Sequence, residues 1–175
     1  GWRSNQVKIG YLYVITAVLL YVYSAYLKKI PLAGNLLVAG LTGFIFLLLM
    51  VFEAAFLNTI HFENAFYVMN VLLLKAFIYA GFAFLTNLTR EIVKDLEDVE
   101  GDKAFNISTL PVAFGVTSGK IAAIAANSIL LAATIAYIVQ LYSVQGFYEL
   151  TYLALAVVIP TLYVNLAIYK ANQSK

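Results

Sequence analysis

The acidic residues of this chain are concentrated in one short segment. Six of the nine fall between positions 91 and 102, namely Glu91, Asp95, Glu97, Asp98, Glu100 and Asp102. If the segment is helical, residues 91, 95, 98 and 102 share one stripe, because side chains three and four positions apart are neighbours on a helix. Like charges on one stripe repel, more strongly beside a low-dielectric bilayer, so the pattern favours a bound divalent cation.

The chemistry that suits this spacing is a metal–diphosphate site. Mg²⁺ prefers hard oxygen ligands and commonly takes one or two carboxylates together with phosphate oxygens of a substrate. Arg90 and Lys94 flank the stripe and could bind the rest of a diphosphate, and Asn87 lies one turn earlier. The alternative is a solvated charged loop without a ligand. With no cysteine and one histidine, the chain excludes thiolate sites and histidine metal clusters.

The elements that must position this stripe are membrane-spanning helices. The chain is 63% hydrophobic and 11% charged, with a mean hydropathy of +0.88. A helix of about 20 apolar residues crosses the hydrocarbon core, and helices satisfy the backbone where water is absent. We therefore predict an all-α, polytopic transmembrane helix bundle in a single domain. Its five spans lie at about residues 9–27, 34–57, 65–88, 120–142 and 148–169.

The distribution of Lys and Arg predicts how this bundle is oriented. Eight of the 11 lie on the side that carries the loops 28–33 and 89–119, two lie on the other side, and Lys75 lies within a span. Cytoplasmic loops are rich in Lys and Arg, so the acidic 89–119 loop is predicted to be cytoplasmic, in the cell membrane. The N-terminus then faces outward, which predicts that an odd number of spans precedes this sequence in a longer protein.

Two patches of the sequence resemble a known family. The stretch from Arg90 to Asp102, followed by Ser108–Pro111 and Phe114–Gly115, resembles the second aspartate-rich motif of the UbiA superfamily of intramembrane prenyltransferases. It is most similar to the branch that makes digeranylgeranylglyceryl phosphate. The stretch from Tyr23 to Asn35 resembles the tyrosine–lysine loop and following helix of the same family. The resemblance covers roughly residues 10–120.

This resemblance implies a fold and an activity. The family fold has about nine helices, and the five spans here look like the fourth to the eighth. The activity is Mg²⁺-dependent transfer of a prenyl group from a polyprenyl diphosphate donor to a hydrophobic lipid or aromatic acceptor, with geranylgeranylglyceryl phosphate favoured by the branch. The family's first acidic motif is absent from this sequence. The chain is therefore expected to hold half of the active site and to be inactive alone. Nucleic acid is not an expected partner.

The resemblance also assigns residues. Asp98 and Asp102 match the paired aspartates of the family and Asp95 matches a further acidic position, which makes all three candidate catalytic and metal-binding residues. Lys28 and Tyr23 match residues that contact diphosphate.

The spacing between the tyrosine and the lysines leaves open whether Lys28 or Lys29 contacts the diphosphate. Arg90, Lys94 and Asn87 complete the candidate substrate-binding set, on their position beside the stripe.

Two other functions could also use an acidic segment at a membrane surface. A transporter or channel with an acidic cation-binding loop predicts ionisable residues deep in several spans, and only Glu53 and Lys75 are of that kind. A CDP-alcohol phosphotransferase is also acidic and Mg²⁺-dependent, but it needs a longer fixed pattern of aspartates and glycines than residues 95–102 provide.

Overall fold

The structure is a computed structural model that describes residues 2–59, 64–141 and 147–171. Within these ranges every element is helical, which confirms the predicted all-α class. The elements are α1 (Trp2–Ala25), a short 3₁₀ turn (Leu27–Lys29), α2 (Ala33–Thr59), α3 (Ala65–Glu97), α4 (Val99–Ala104), α5 (Leu110–Phe114), α6 (Val116–Leu141), α7 (Phe147–Leu153), a π-helical segment (Ala154–Val158) and α8 (Ile159–Lys170).

The helices match a membrane protein in length and composition. Among the described residues, four stretches are long and apolar enough to cross a bilayer: Ala33–Glu53, Phe66–Glu97, Val116–Gln140 and Leu150–Lys170. Helix α1 carries a shorter apolar stretch, Val14–Tyr23. The last span runs through α7, the π-helical segment and α8 as one helix, since the backbone at both junctions is right-handed helical. The chain is thus an integral membrane helix bundle.

Helices α2 and α3 pack along a seam of small residues. A Cβ placed on Gly43 would lie 2.8 Å from the carbonyl oxygen of Ala80, so the two backbones are nearly in contact there. Ala39, one turn before Gly43, and Ala76, one turn before Ala80, are also buried. Such small residues at turn spacing allow close helix approach in lipid, where apolar burial supplies little driving force between helices. The seam fixes which faces of α2 and α3 meet.

A small buried cluster joins this pair to the later helices. It consists of Ala39, Leu88, Ile92, Ala123, Ala126 and Ile168, from α2, α3, α6 and α8. The N-terminal end of α6 is also held close to α3, since a Cβ on Gly119 would lie 2.7 Å from a methyl group of Leu96 and 3.2 Å from Pro111 in α5. These contacts bring α5 and the start of α6 against the end of α3 that carries the acidic residues.

Helix α3 is longer than a bilayer requires. Its 33 residues extend about 50 Å at 1.5 Å per residue, whereas the hydrocarbon core is about 30 Å thick. The surplus is therefore several turns, and the charged residues from Arg90 onward occupy one end. Most of the predicted loop 89–119 is in fact helical, because α3 continues to Glu97 and α4 and α5 follow. The acidic segment thus stands on a rigid extension of a span.

Candidate functional site

The three candidate aspartates lie on either side of a joint between two helices. Asp95 is in the last turn of α3, Asp98 is the joint itself (φ −92°, ψ 8°), and Asp102 is in α4. The Asp98 N–H donates to the Lys94 carbonyl at 3.0 Å, and the Asp102 N–H donates to the Asp98 carbonyl at 2.8 Å. These bonds keep helical spacing across the joint. The predicted stripe therefore persists through it.

Asp95 is held by a side chain from another helix. The Asn35 Nδ2 atom donates to Asp95 Oδ2 at 2.7 Å, across the α2–α3 seam and 60 residues away in sequence. Asn35 is the third residue of α2, so its side chain serves the aspartate and is not at the cap position of its own helix. One oxygen of the Asp95 carboxylate is thereby fixed by a neutral donor.

Asp102 is held in a similar way. The Thr109 hydroxyl donates to Asp102 Oδ2 at 3.0 Å, and the Ile107 N–H donates to the Asp102 carbonyl at 2.8 Å. These two bonds fold the connection between α4 and α5 back onto the aspartate. Thr109 is 8% exposed and directly precedes α5, yet its hydroxyl makes no cap bond to that helix. The loop is organised around Asp102.

Asp98 differs from both of these aspartates. Its side chain is exposed and makes no hydrogen bond or ion pair within the described ranges. Over the same ranges, no group of three or more His, Cys, Asp and Glu side chains is close enough to hold a metal ion. Of the three candidate aspartates in the described structure, two thus have an oriented carboxylate and Asp98 has an exposed one, without a closed metal cage.

The electrostatic surroundings of Asp95 are predominantly negative. Its carboxylate is half-buried, and Asp102 and Glu91 act on it as like charges, whereas Lys94 opposes them. Asn35 adds a hydrogen bond but no charge. Burial and like charges both make an isolated carboxylate costly, so this position favours the approach of a cation.

The predicted basic residues lie partly on another face of α3. The Arg90 NH1 atom donates to Asn87 Oδ1 at 3.3 Å and lies 3.1 Å from Glu91 Oε1. Asn87 in turn donates to Thr42 Oγ1 at 3.0 Å, which adds a second polar tie between α2 and α3.

Arg90 and Lys94 also line a groove of about 490 Å³ between α3, α6 and α8. Buried Asn127 and Val164 form part of its wall. Arg90 is thus already in contact with Asn87 and Glu91, and Lys94 lies between the stripe and the groove.

The tyrosine–lysine segment lies just before α2. Tyr23 is partly exposed near the end of α1, and Lys28 and Lys29 belong to the 3₁₀ turn. The side chain of Lys28 lies outside the described part of the structure, and Lys29 is exposed. Asn35, which donates to Asp95, lies six residues after Lys29, so the turn is close in sequence to a residue that contacts the stripe.

Sequence reasoning missed the partners of the aspartates. From its place at the start of a predicted span, Asn35 is expected to donate to a substrate oxygen or to cap its helix, and Thr109 and Thr42 have no predicted role. One signal was present for Thr109: a threonine before Leu110-Pro111 marks a helix start, so its hydroxyl had to be either a cap or a tertiary contact. For Asn35 no local signal exists, because its contact depends on the register between two spans.

Comparison with known proteins adds the family. The model of the UbiA prenyltransferase family matches residues 4–175. The digeranylgeranylglyceryl phosphate synthase of Methanopyrus kandleri is 46% identical over 101 residues, 58% of this chain and 31% of that protein. The synthase of the same name from Haloquadratum walsbyi is 38% identical over 138 residues, 79% of this chain and 41% of that protein. The synthase of the same name from Methanosphaera stadtmanae is 29% identical over 167 residues, which is 95% of this chain and 53% of that protein.

These matches extend over nearly the whole chain and beyond the two patches that first carried the resemblance. The chain spans about half, or less, of the length of these curated relatives. No solved structure matches it. Because the family model covers almost every residue, the chain belongs to the UbiA prenyltransferase family.

Proposed function

We propose that the full-length protein transfers a prenyl group from a polyprenyl diphosphate to a glycerophosphate-type lipid acceptor similar to geranylgeranylglyceryl phosphate. The observation that carries this proposal is the stripe of Asp95, Asp98 and Asp102 at the end of an overlong span, in a chain whose family transfers prenyl groups. The relatives' names support the acceptor class. The excess of Lys and Arg on the side that carries the loops 28–33 and 89–119 supports a cytoplasmic location for the stripe.

Magnesium is the proposed cofactor, and the donor set fits it. The stripe offers only hard carboxylate oxygens, and one or two of the carboxylates of Asp95, Asp98 and Asp102 would hold the ion. The absence of a three-residue cage among the described side chains agrees with an ion that takes few protein ligands and completes its shell with water and phosphate. The chemistry that such an ion supplies is neutralisation of the leaving diphosphate.

The residues of the chain have separate tasks in this proposal. Asp95 and Asp102 present oriented carboxylates, and Asp98 provides an exposed one. Lys28 or Lys29, from the 3₁₀ turn before α2, and Tyr23, from the end of α1, would contact the diphosphate. Cationic side chains suit this task because charge-assisted hydrogen bonds to phosphate are stronger than neutral ones.

Arg90, Lys94 and Asn87 would contact the diphosphate from the α3 side. Asn87 and Arg90 are already ordered by each other and by Thr42, so little side-chain freedom is lost when a substrate binds.

The chain is proposed to supply one part of the active site. It spans 31% to 53% of the length of the relatives compared, and the family's other acidic motif would come from sequence outside it. The transporter alternative has little support. Glu53 and Lys75 are both exposed and unpaired in the described structure, and no further Asp, Glu, Lys, Arg or His lies between Ala33 and Leu88 within the described ranges.

The test uses the full-length protein with radiolabelled geranylgeranyl diphosphate. Asp98→Asn and Asp102→Asn should each lower Mg²⁺-dependent transfer at least about 100-fold, since each replaces a charged carboxylate ligand by a neutral amide that binds the ion more weakly. Glu100→Gln is the matched control, because Glu100 is exposed in α4 but off the stripe, and it should stay near wild type.

Acceptor identity is tested in the same assay. Geranylgeranylglyceryl phosphate should be prenylated and a hydroxybenzoate should not. If both aspartate variants keep wild-type activity, the metal assignment fails. If only the hydroxybenzoate is prenylated, the acceptor class is wrong.

A further inference from the structure

We propose that Asn35 and Thr109 are positioning residues, each of which holds one oxygen of a stripe aspartate so that the other oxygen stays available to a divalent cation. This inference rests on the proposed function. It concerns two residues that touch the aspartates but carry no charge. Their tasks are the orientation of Asp95 by Asn35 and of Asp102 by Thr109.

The choice of donor is informative. A carboxylate can be oriented by Arg or Lys, but such a partner also neutralises it and competes with a metal ion. Both donors here are neutral, an amide and a hydroxyl, and both bond to Oδ2 alone. The negative charge and the second oxygen of each aspartate are therefore left for an outside ligand. Carboxylates that bind metals are commonly held by hydrogen bonds of this kind.

The two donors come from different directions. Asn35 reaches across from the first turn of α2, and Thr109 reaches back from the start of α5. Both α2 and α5 are packed against α3 or α4, through the Gly43–Ala80 approach and the Leu96–Gly119–Pro111 contact. The rotamers of Asp95 and Asp102 are thus determined by tertiary packing on either side of the joint at Asp98.

Thr109 supports the inference independently of Asn35. It is at a position where a threonine hydroxyl usually caps the following helix, and no such cap bond is present. The hydroxyl is given instead to Asp102 at 3.0 Å, although a cap bond is worth about 1 kcal/mol to a helix. The chain thus forgoes the stability of a capped α5 N-terminus, and the Thr109 hydroxyl orients Asp102 instead.

The test measures metal binding as well as activity in the full-length protein. Thr109→Val keeps the shape of the side chain and removes the hydroxyl, and Thr109→Ser keeps the hydroxyl. Asn35→Leu keeps the approximate volume and removes the amide. We expect Thr109→Val and Asn35→Leu to raise the Mg²⁺ concentration for half-maximal activity by about 10- to 100-fold, with kcat largely recovered at saturating Mg²⁺. Thr109→Ser should restore the wild-type value.

Direct binding of Mn²⁺, followed by the electron paramagnetic resonance of the free ion, should weaken by a similar factor in the same two variants. Thr42→Val is the matched control, since it breaks the Asn87–Thr42 bond across the same seam without touching an aspartate. It should lower thermal stability like Asn35→Leu but leave Mn²⁺ affinity within about twofold of wild type.

The inference is overturned if Asn35→Leu and Thr109→Val both fold and both keep wild-type Mg²⁺ and Mn²⁺ constants. It is also overturned if Thr42→Val weakens Mn²⁺ binding as much as Asn35→Leu does. Failure of the proposed function gives a different result, namely wild-type transfer by both Asp98→Asn and Asp102→Asn. The two failures are therefore distinguishable.

Discussion

Substitution of Gly43 by alanine tests whether the α2–α3 seam holds the acidic end of the protein in place. The new Cβ would lie 2.8 Å from the backbone carbonyl oxygen of Ala80. Carbon–oxygen contacts between helices are ordinarily about 3.3 Å or longer, so the helices must separate locally by about 0.5 Å. A backbone atom cannot rotate away as the end of a flexible side chain can.

The cost of this separation follows from the neighbouring contacts. Forcing a methyl group into a packed interface costs about 1–3 kcal/mol. The Asn87–Thr42 bond, now 3.0 Å and one residue from Gly43, would lengthen to about 3.5 Å and lose most of its strength. The better helix propensity of alanine returns up to about 1 kcal/mol. The net loss is about 1–3 kcal/mol, or several degrees in Tm.

Gly40 is the matched control, because it lies in the same helix and a Cβ there meets nothing within 4 Å. Both variants are made in the full-length protein and heated in detergent, with loss of the monodisperse peak in size-exclusion chromatography as the measure. Gly40→Ala should equal or exceed wild type, by up to about 1 kcal/mol. Gly43→Ala should unfold several degrees lower. Equal melting of the two variants would refute the close approach of α2 and α3.

Two further predictions concern stability beyond the seam. Gly115→Ala should destabilise the protein by about 1–3 kcal/mol, because φ is +88° and ψ is 154° there, a conformation that residues with a side chain disfavour. The control is Gly101→Ala in α4, where a Cβ also meets nothing within 4 Å, and it should not destabilise the protein. Equal thermal melting of the two variants would contradict the strained backbone at Gly115. Asn127→Leu should lower stability by about 0.6–2 kcal/mol, because its amide bonds the Thr161 carbonyl at 2.8 Å and Asn165 Oδ1 at 2.9 Å between α6 and α8. An unchanged Tm for that variant would show these bonds to be replaceable.

The broad architecture was predictable because hydropathy alone identifies membrane helices. The all-α bundle and the family are confirmed. Within the predicted first span, 9–27, the structure has a shorter apolar stretch, Val14–Tyr23 of α1. The helices α4 and α5 could not be foreseen from hydropathy, because six and five residues are too few to show a helical period. Their existence depends on packing against α3 and α6.

The candidate site was predictable in part. Spacing placed Asp95 and Asp102 on one stripe, and the structure keeps that spacing. The side chains that orient them could not be predicted, because the contact of Asn35 with Asp95 requires both the register and the rotation of two spans. The same limit applies to Lys94, whose position at the α3–α6–α8 groove depends on where α6 packs. The assignment of metal and diphosphate residues stays a prediction.

The hydrogen bond between Asn35 and Asp95 also bears on the order in which the site is built during synthesis. Its two residues belong to consecutive spans, and the small-residue seam beside it involves only α2 and α3. Inserted helices can associate in the membrane as independent units, so this hairpin can form before α6 has been made. Asp102 acquires its partner only when Thr109 and α5 emerge. The acidic stripe would then mature in two steps, with its membrane-proximal aspartate oriented first.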